Sequence, residues 1–179
     1  MCMRLVRFVT LWVVVAAAVC LVSCGDDDKP YPVRTYNMGE RVSLGHINYQ
    51  VFETQWLTQL GAGPDQRIPK HRFFLVRLSA ANNSSADLIV PNFTLEDDNG
   101  NSYPEISEAE GVPQYIGYLR TVKGANSVAG NAVFDAPPRH YKMKIQDETG
   151  EKTAYIDIPL AFVSETPGIP EVGSPEKKK

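Results

Sequence analysis

His71-Arg72-Phe73-Phe74-Leu75-Val76-Arg77-Leu78-Ser79-Ala80-Ala81 is the stretch whose periodicity decides the fold class. In an extended chain, successive side chains point to opposite faces. Phe74, Val76, Leu78 and Ala80 then share an apolar face, and Phe73, Leu75, Arg77 and Ser79 share a mixed one. A strand of that kind fits an interior position in two sheets packed face to face.

Working outward, the same alternation recurs. Val42-Ser43-Leu44, a turn at Gly45, and Ile47-Asn48-Tyr49-Gln50-Val51-Phe52 read as strand, turn, strand. Gly61-Ala62-Gly63-Pro64-Asp65 is a loop with strong breakers. Leu88-Ile89-Val90 and Phe93-Thr94-Leu95 are short strands around Pro91. Asp97-Asp98-Asn99-Gly100-Asn101 is a turn in which Asn99-Gly100 suits a type I′ hairpin. Residues 114–122, Q-Y-I-G-Y-L-R-T-V, read as strand, and Val128 to Asp135 alternates until Pro137-Pro138 stops it. Tyr141, Met143 and Ile145 alternate with Lys142, Lys144 and Gln146 to give a half-buried strand. After the turn Asp147-Glu148-Thr149-Gly150-Glu151, Ala154, Ile156 and Ile158 mark the last strand. No stretch carries a convincing amphipathic helix. The expectation is an all-β sandwich of about seven to nine short, mainly antiparallel strands over residues 39–163, with a closed barrel as the structural alternative.

The ends differ from this body. Residues 1–23 combine Arg4 and Arg7, a run from Phe8 to Val22 that is almost wholly apolar, and Ser23 before Cys24. These are the parts of an export signal, and the apolar run is shorter than the roughly 20 residues of a comfortable bilayer span. Leu21-Val22-Ser23-Cys24 resembles the lipobox of bacterial lipoproteins. That resemblance implies removal of 1–23 and a diacylglyceride on the sulfur of Cys24, which becomes the new N-terminus. An ordinary signal peptide or uncleaved span with an incidental cysteine is the bland alternative. Residues 24–38, with Asp26-Asp27-Asp28, Pro30 and Pro32, read as a lipidated N-terminus and acidic tether. Residues 164–179 carry prolines and almost nothing to bury, and read as a disordered tail ending in Lys177-Lys178-Lys179.

Cysteine usage and charge close several classes. The three cysteines are Cys2, Cys20 and Cys24, so the chain beyond Cys24 has no disulfide, no cysteine-ligated metal and no thiol chemistry. The formal charge is -3, more negative once Arg4 and Arg7 are removed, which gives no basic footprint for nucleic acid.

Several pieces of the body carry a resemblance: Gly39-Glu40-Arg41-Val42 leading into Ile47-Asn48-Tyr49-Gln50-Val51, Phe74-Leu75-Val76-Arg77-Leu78, Phe93-Thr94-Leu95-Glu96-Asp97, Val133-Phe134-Asp135-Ala136-Pro137, and Tyr141-Lys142-Met143-Lys144-Ile145. Over roughly residues 36–162 the chain resembles the telokin-like extracellular domain DUF4352, often found in bacterial lipoproteins and secreted proteins. The resemblance implies an immunoglobulin-like β-sandwich and brings no catalytic residues with it. Lys123-Gly124 stands where a Pro-Gly turn is expected.

Candidate sites are few. His46, His71 and His140 look like surface or turn positions, and their spacing predicts no three-ligand zinc site. Asp97, Asn99 and Asn101 present oxygens at alternate positions, as a calcium loop begins, but the twelve-residue pattern is not completed and a solvated turn is the default reading. Ser79, Ser84 and Ser85 lie in no nucleophile elbow. Asn82, Asn83 and Asn92 head N-x-S/T triplets, which read as chance occurrences in a bacterial chain. Trp56, Tyr115 and Tyr118 either form a binding patch or pack the core, and the core reading is favoured. No cofactor is expected.

These readings lead to a non-enzymatic lipoprotein of the bacterial cell envelope, extracytoplasmic, with the outer membrane or cell surface favoured. Acyl chains on Cys24 hold it to the membrane, and its sandwich contacts an envelope protein. The alternative is a binding module for a small ligand, calcium or polysaccharide.

Overall fold

A computed structural model describes residues 31–61, 64, 66–109 and 111–160. The expected signal segment, Cys24, the first part of the tether, residues 161–163 of the expected sandwich and the expected tail 164–179 lie outside the described residues.

Among the described residues there are eleven strands: β1 (Thr35–Asn37), β2 (Arg41–Leu44), β3 (Ile47–Leu57), β4 (Phe73–Asn82), β5 (Leu88–Val90), β6 (Thr94–Asp97), β7 (Ser102–Pro104), β8 (Arg120–Val122), β9 (Ser127–Asp135), β10 (Tyr141–Gln146) and β11 (Thr153–Ile158). A five-stranded sheet, β1-β11-β10-β6-β7, packs on a four-stranded one, β2-β3-β4-β9, and β5 and β8 form a separate pair. Pairings between these strands are antiparallel except that of β1 with β11. The fold is therefore all-β, mainly antiparallel and sandwich-like, as the alternation requires.

Details differ from expectation. The strands outnumber the seven to nine foreseen, and β3, β4 and β9 are long, at 11, 10 and 9 residues. The additional strands include three-residue pieces, too short for a period-two pattern to register. One of them, β1, lies inside the stretch read as tether, so the folded body begins at Thr35 rather than Gly39. Residues 114–122 are strand only from Arg120, because Gln114 and Gly117 take positive φ values of 51° and 85°, which an extended strand does not contain. The 97–101 turn is not type I′. Only Gly100 has positive φ, its N–H donates to Asp97 O at 3.0 Å, and Asp97 N–H donates to Asn101 O at 3.0 Å. This is a type I turn closed by a glycine in the left-handed region, a three-residue hairpin loop.

The main core lies between the two large sheets. Phe74, Val76, Leu78 and Ala80 enter it from β4, and Tyr141, Met143 and Ile145 meet them from β10. Burying one such large side chain contributes about 1.5–3 kcal/mol. The other face of β4 is not exposed either. Phe73 and Leu75 build a second cluster with Leu60, Ala109, Val112 and Val133, so β4 is covered on both sides at the end where it begins.

The two ends of the sandwich are distinct. At one, the β2–β3 turn meets the β10–β11 turn through His46 and Glu148, and β1 enters from this end, with Tyr155 N–H donating to Arg34 O. At the other, Leu57, Phe73, Asp135, Tyr141 and Ile158 lie in register or close by.

Candidate functional site

The four-stranded sheet has two unlike edges. On one side, β9 is capped. Ile106 N–H donates to Val133 O at 2.8 Å, Ile116 N–H to Asn131 O at 3.1 Å, and Asn131 N–H to Gln114 O at 2.8 Å. Residues 105–109 and 111–116 thus leave the five-stranded sheet, and Ile106, Gln114 and Ile116 occupy polar backbone of that edge. Gly130 permits the close approach, since a Cβ there would lie 2.4 Å from Gln114 O.

On the other side, β2 is too short to cover β3. Its pairing runs from Arg41↔Gln50 to Leu44↔Ile47, and Gly39 N–H adds one bond to Val51 O at 2.9 Å. The register of β3 against β4 then shifts between Val51 and Glu53, which leaves Phe52 as an extra, exposed residue. From Phe52 to Leu57, no described strand pairs with β3 on the side away from β4. The stretch is F-E-T-Q-W-L, with a single charge, no proline and no lysine. Trp56 within it, and Met38 next to the Gly39 that bonds to Val51, are only partly buried against the main core. Unpaired backbone with partly covered apolar side chains behind it is the chemistry of strand addition.

Aromatic residues converge at the same end. Trp56 stacks on Phe74 with ring centroids 4.1 Å apart and an interplanar angle of 23°. Tyr141 lies 6.4 Å from Trp56, and Tyr103 meets Tyr141 edge-on at 5.6 Å. Burial pushes the Tyr141 hydroxyl far above its ordinary pKa, and that hydroxyl donates to Pro137 O. The three aromatics considered as a patch do not form one: Trp56 belongs to the main core, whereas Tyr115 packs on the second cluster with its hydroxyl donating to Ile106 O at 3.1 Å. Tyr118 is half-buried.

Each histidine meets acidic groups, at three separate places. His46 Nδ1 is 2.5 Å from Glu148 Oε1, His71 Nδ1 is 3.4 Å from Asp135 Oδ1, and His140 lies between Asp98 and Asp157. Among the described residues, no three His, Cys, Asp or Glu side chains are grouped to hold a metal ion. The Asp97 carboxylate is already occupied. It accepts from Asn99 N–H at 3.0 Å, from Asn101 N–H at 2.9 Å and side-chain amide at 2.9 Å, and from Arg139 Nη1 at 2.7 Å. The Asn101 amide, with the backbone N–H groups and Arg139, outweighs burial and holds its pKa down at about 2. A cation there would have to displace a guanidinium.

The serine and asparagine candidates serve the backbone. Asn82 is buried, its amide donating to Ala86 O at 2.7 Å and Val122 O at 3.0 Å, and its oxygen accepts from Ser84 N–H and hydroxyl. Asn83 N–H donates to His46 O, and Asn92 Oδ1 lies 3.5 Å from Arg120 Nη2. Ser79 is half-buried on β4. The lipidation candidate Cys24 lies outside the described residues, as do Lys177, Lys178 and Lys179.

Sequence reasoning missed the buried ion pair of Glu105 and Arg120. Arg120 Nη2 donates to Glu105 Oε2 at 2.5 Å with both side chains almost wholly buried, and the guanidinium carbon sits 4.4 Å above the Phe93 ring. Burial pushes the Glu105 carboxyl up, against the pull of Arg120. The available signal was alternation in Ile116, Tyr118, Arg120 and Val122, which places one cation among inward-facing residues.

Residues 36–154 match the family described as a domain of unknown function, DUF4352. Among solved structures, the fold is similar to the yjhA protein of Bacillus subtilis, at 17% identity and TM-score 0.53 over 69% of this chain and 98% of that one. It is also similar to the secreted protein MPT63 of Mycobacterium tuberculosis, at 15% identity and TM-score 0.52 over 72% of this chain and 98% of that one. An uncharacterized β-sandwich protein of Clostridium difficile aligns at 7% identity and TM-score 0.50, over 74% and 98%. At these identities the likeness shows the fold alone. Among curated proteins, no relative matches the chain.

Proposed function

We propose that this chain, which belongs to the DUF4352 family, is an extracytoplasmic lipoprotein whose immunoglobulin-like sandwich binds an envelope protein through the uncovered edge of β3. The observation that carries the reading is the contrast between the edges of one sheet: Ile106, Gln114 and Ile116 bond to β9, while no described strand pairs with Phe52–Leu57 on the side away from β4. The partner contributes an extended segment. Its backbone continues the sheet, and apolar side chains at alternate positions cover Trp56 and Met38. Acyl chains on Cys24 hold the body at a membrane surface, supported by Leu21-Val22-Ser23-Cys24 and the polar switch after it.

The test is site-specific photo-crosslinking in cells with the full-length chain. A crosslinker at Gln55, exposed on the open edge, is expected to trap one discrete envelope protein, while one at Lys144, on the outer face of the other sheet, is not. Equal, diffuse adducts from both positions overturn the edge reading. Membrane fractionation of Cys24→Ser tests the anchor separately, with release into the soluble fraction expected and full retention overturning it.

A further inference from the structure

His140 precedes β10 at the Tyr141 end of the sandwich, and both of its ring nitrogens face a carboxylate. Nε2 lies 2.8 Å from Asp157 Oδ1 on β11, and Nδ1 lies 3.2 Å from Asp98 Oδ2 in the β6–β7 turn. The two contacts leave opposite edges of the ring, so the three groups do not converge on a metal position. A neutral imidazole carries one N–H and one lone pair, and would turn the lone pair toward a carboxylate whichever tautomer it took. Only the imidazolium donates to both.

We propose that His140 is a proton-operated tie: protonated, it fastens the β6–β7 turn to β11, and neutral, it lets the turn go. The charged groups around it bear this out. Asp97, beside Asp98, is neutralised by Arg139, so Asp98 is left to His140. Lys142 of β10 stands in register with both Asp157 of β11 and Glu96 of β6, so its single charge is shared between two carboxylates, and β1 opposes Asp157 with the uncharged Asn37. Loss of the proton leaves the Asp98 and Asp157 carboxylates facing a ring that can satisfy one of them at most. Partial burial opposes the charge on His140, but Asp157 first and Asp98 second outweigh it and hold its pKa above the ordinary value. A histidine with a raised folded pKa contributes stability that is whole below the unfolded value of about 6.5 and is lost as pH rises through the folded one. The tie therefore opens on the alkaline side.

NMR titration of the full chain tests this. The His140 ring is expected to titrate with a midpoint above about 6.5, with both ring nitrogens protonated below it. The Gly100 amide in the β6–β7 turn is expected to shift with the same midpoint, and Asp157→Asn to lower that midpoint. In His140→Gln the Gly100 amide is expected to stay flat over the same range. A His140 midpoint at or below 6.5, a midpoint unmoved by Asp157→Asn, or a Gly100 amide that does not follow the ring overturns the proposal.

Discussion

Glu105 and Arg120 are joined at 2.5 Å inside the sandwich, with 0% and 2% of their side chains exposed, fifteen residues apart in the chain. Glu105 leaves β7, Arg120 opens β8, and Glu105 Oε2 also accepts from Phe93 N–H at 3.2 Å. The pair thus joins the small β5–β8 sheet to the segment that leaves β7 for the β9 edge.

Removing one partner strands the other in the core. Arg120→Met is expected to lower unfolding free energy by about 3–5 kcal/mol in urea titration. Glu105→Gln/Arg120→Met is expected to regain most of that loss, since glutamine still accepts from Phe93 N–H without carrying charge. Because burial raises the folded pKa of Glu105, stability falls as pH rises through that value, and it falls further in Arg120→Met, where the guanidinium no longer opposes burial. Equal stability of the single and double variants would sink this account.

The His46–Glu148 contact works on the acid side. Hydrogen bonds from the His46 ring and N–H outweigh partial burial and lower the Glu148 pKa. Its contribution is present above the unfolded value of about 4.3 and is lost as pH falls through the folded one. The His46 side chain is 62% exposed, so the pair is worth less than about 1 kcal/mol. Glu148→Gln is expected to flatten the acid limb of the stability–pH curve and leave the alkaline limb alone, as followed by urea midpoints across pH.

Gly130 decides whether β9 stays capped. A methyl group there meets Gln114 O at 2.4 Å and the Ile116 backbone at 3.1 Å, and backbone cannot swing aside as a side chain can. Gly130→Ala is expected to cost about 1–3 kcal/mol. Hydrogen exchange should speed up at Asn131 and Ile116, whose amides bond across this contact, while the β3–β4 amides remain protected.

Calcium is expected to leave the protein unchanged. The Asp97 carboxylate is filled by N–H donors and Arg139, so melting temperature should be the same in millimolar calcium and in chelator. Acid is the reagent that empties it: the Asp97 contribution is whole above about 3.9 and is lost as pH falls through its folded value of about 2. A calcium-dependent rise in melting temperature would restore the metal reading.

Strand-forming residues were legible wherever the alternation ran long enough. Phe74, Val76, Leu78 and Ala80 face the main core as their spacing requires, and so do Tyr141, Met143 and Ile145. β1 and β7, at three residues each, gave no such signal, and neither did the break at Gly117, whose positive φ serves a chain crossing rather than a strand. Of the candidate sites, the histidines could be placed at turns, but their acidic partners lie 102 residues away for His46 and 64 for His71.

Period-two alternation is a local property of the chain, and from it alone follow the all-β class and which faces of the strands are buried. The charged start, apolar run and cysteine on which the proposed anchor rests are local in the same way, lying in one short stretch. The open edge of β3 is of another kind. Among the described residues it exists because β2 stops at Leu44 while β3 runs on to Leu57, and because Ile106, Gln114 and Ile116 bond to β9 and not to β3. Pairing depends on which segments meet in space, and meeting in space joins residues far apart in the chain, so the buried Glu105–Arg120 pair, the His140 tie and the uncovered edge were decided by tertiary packing.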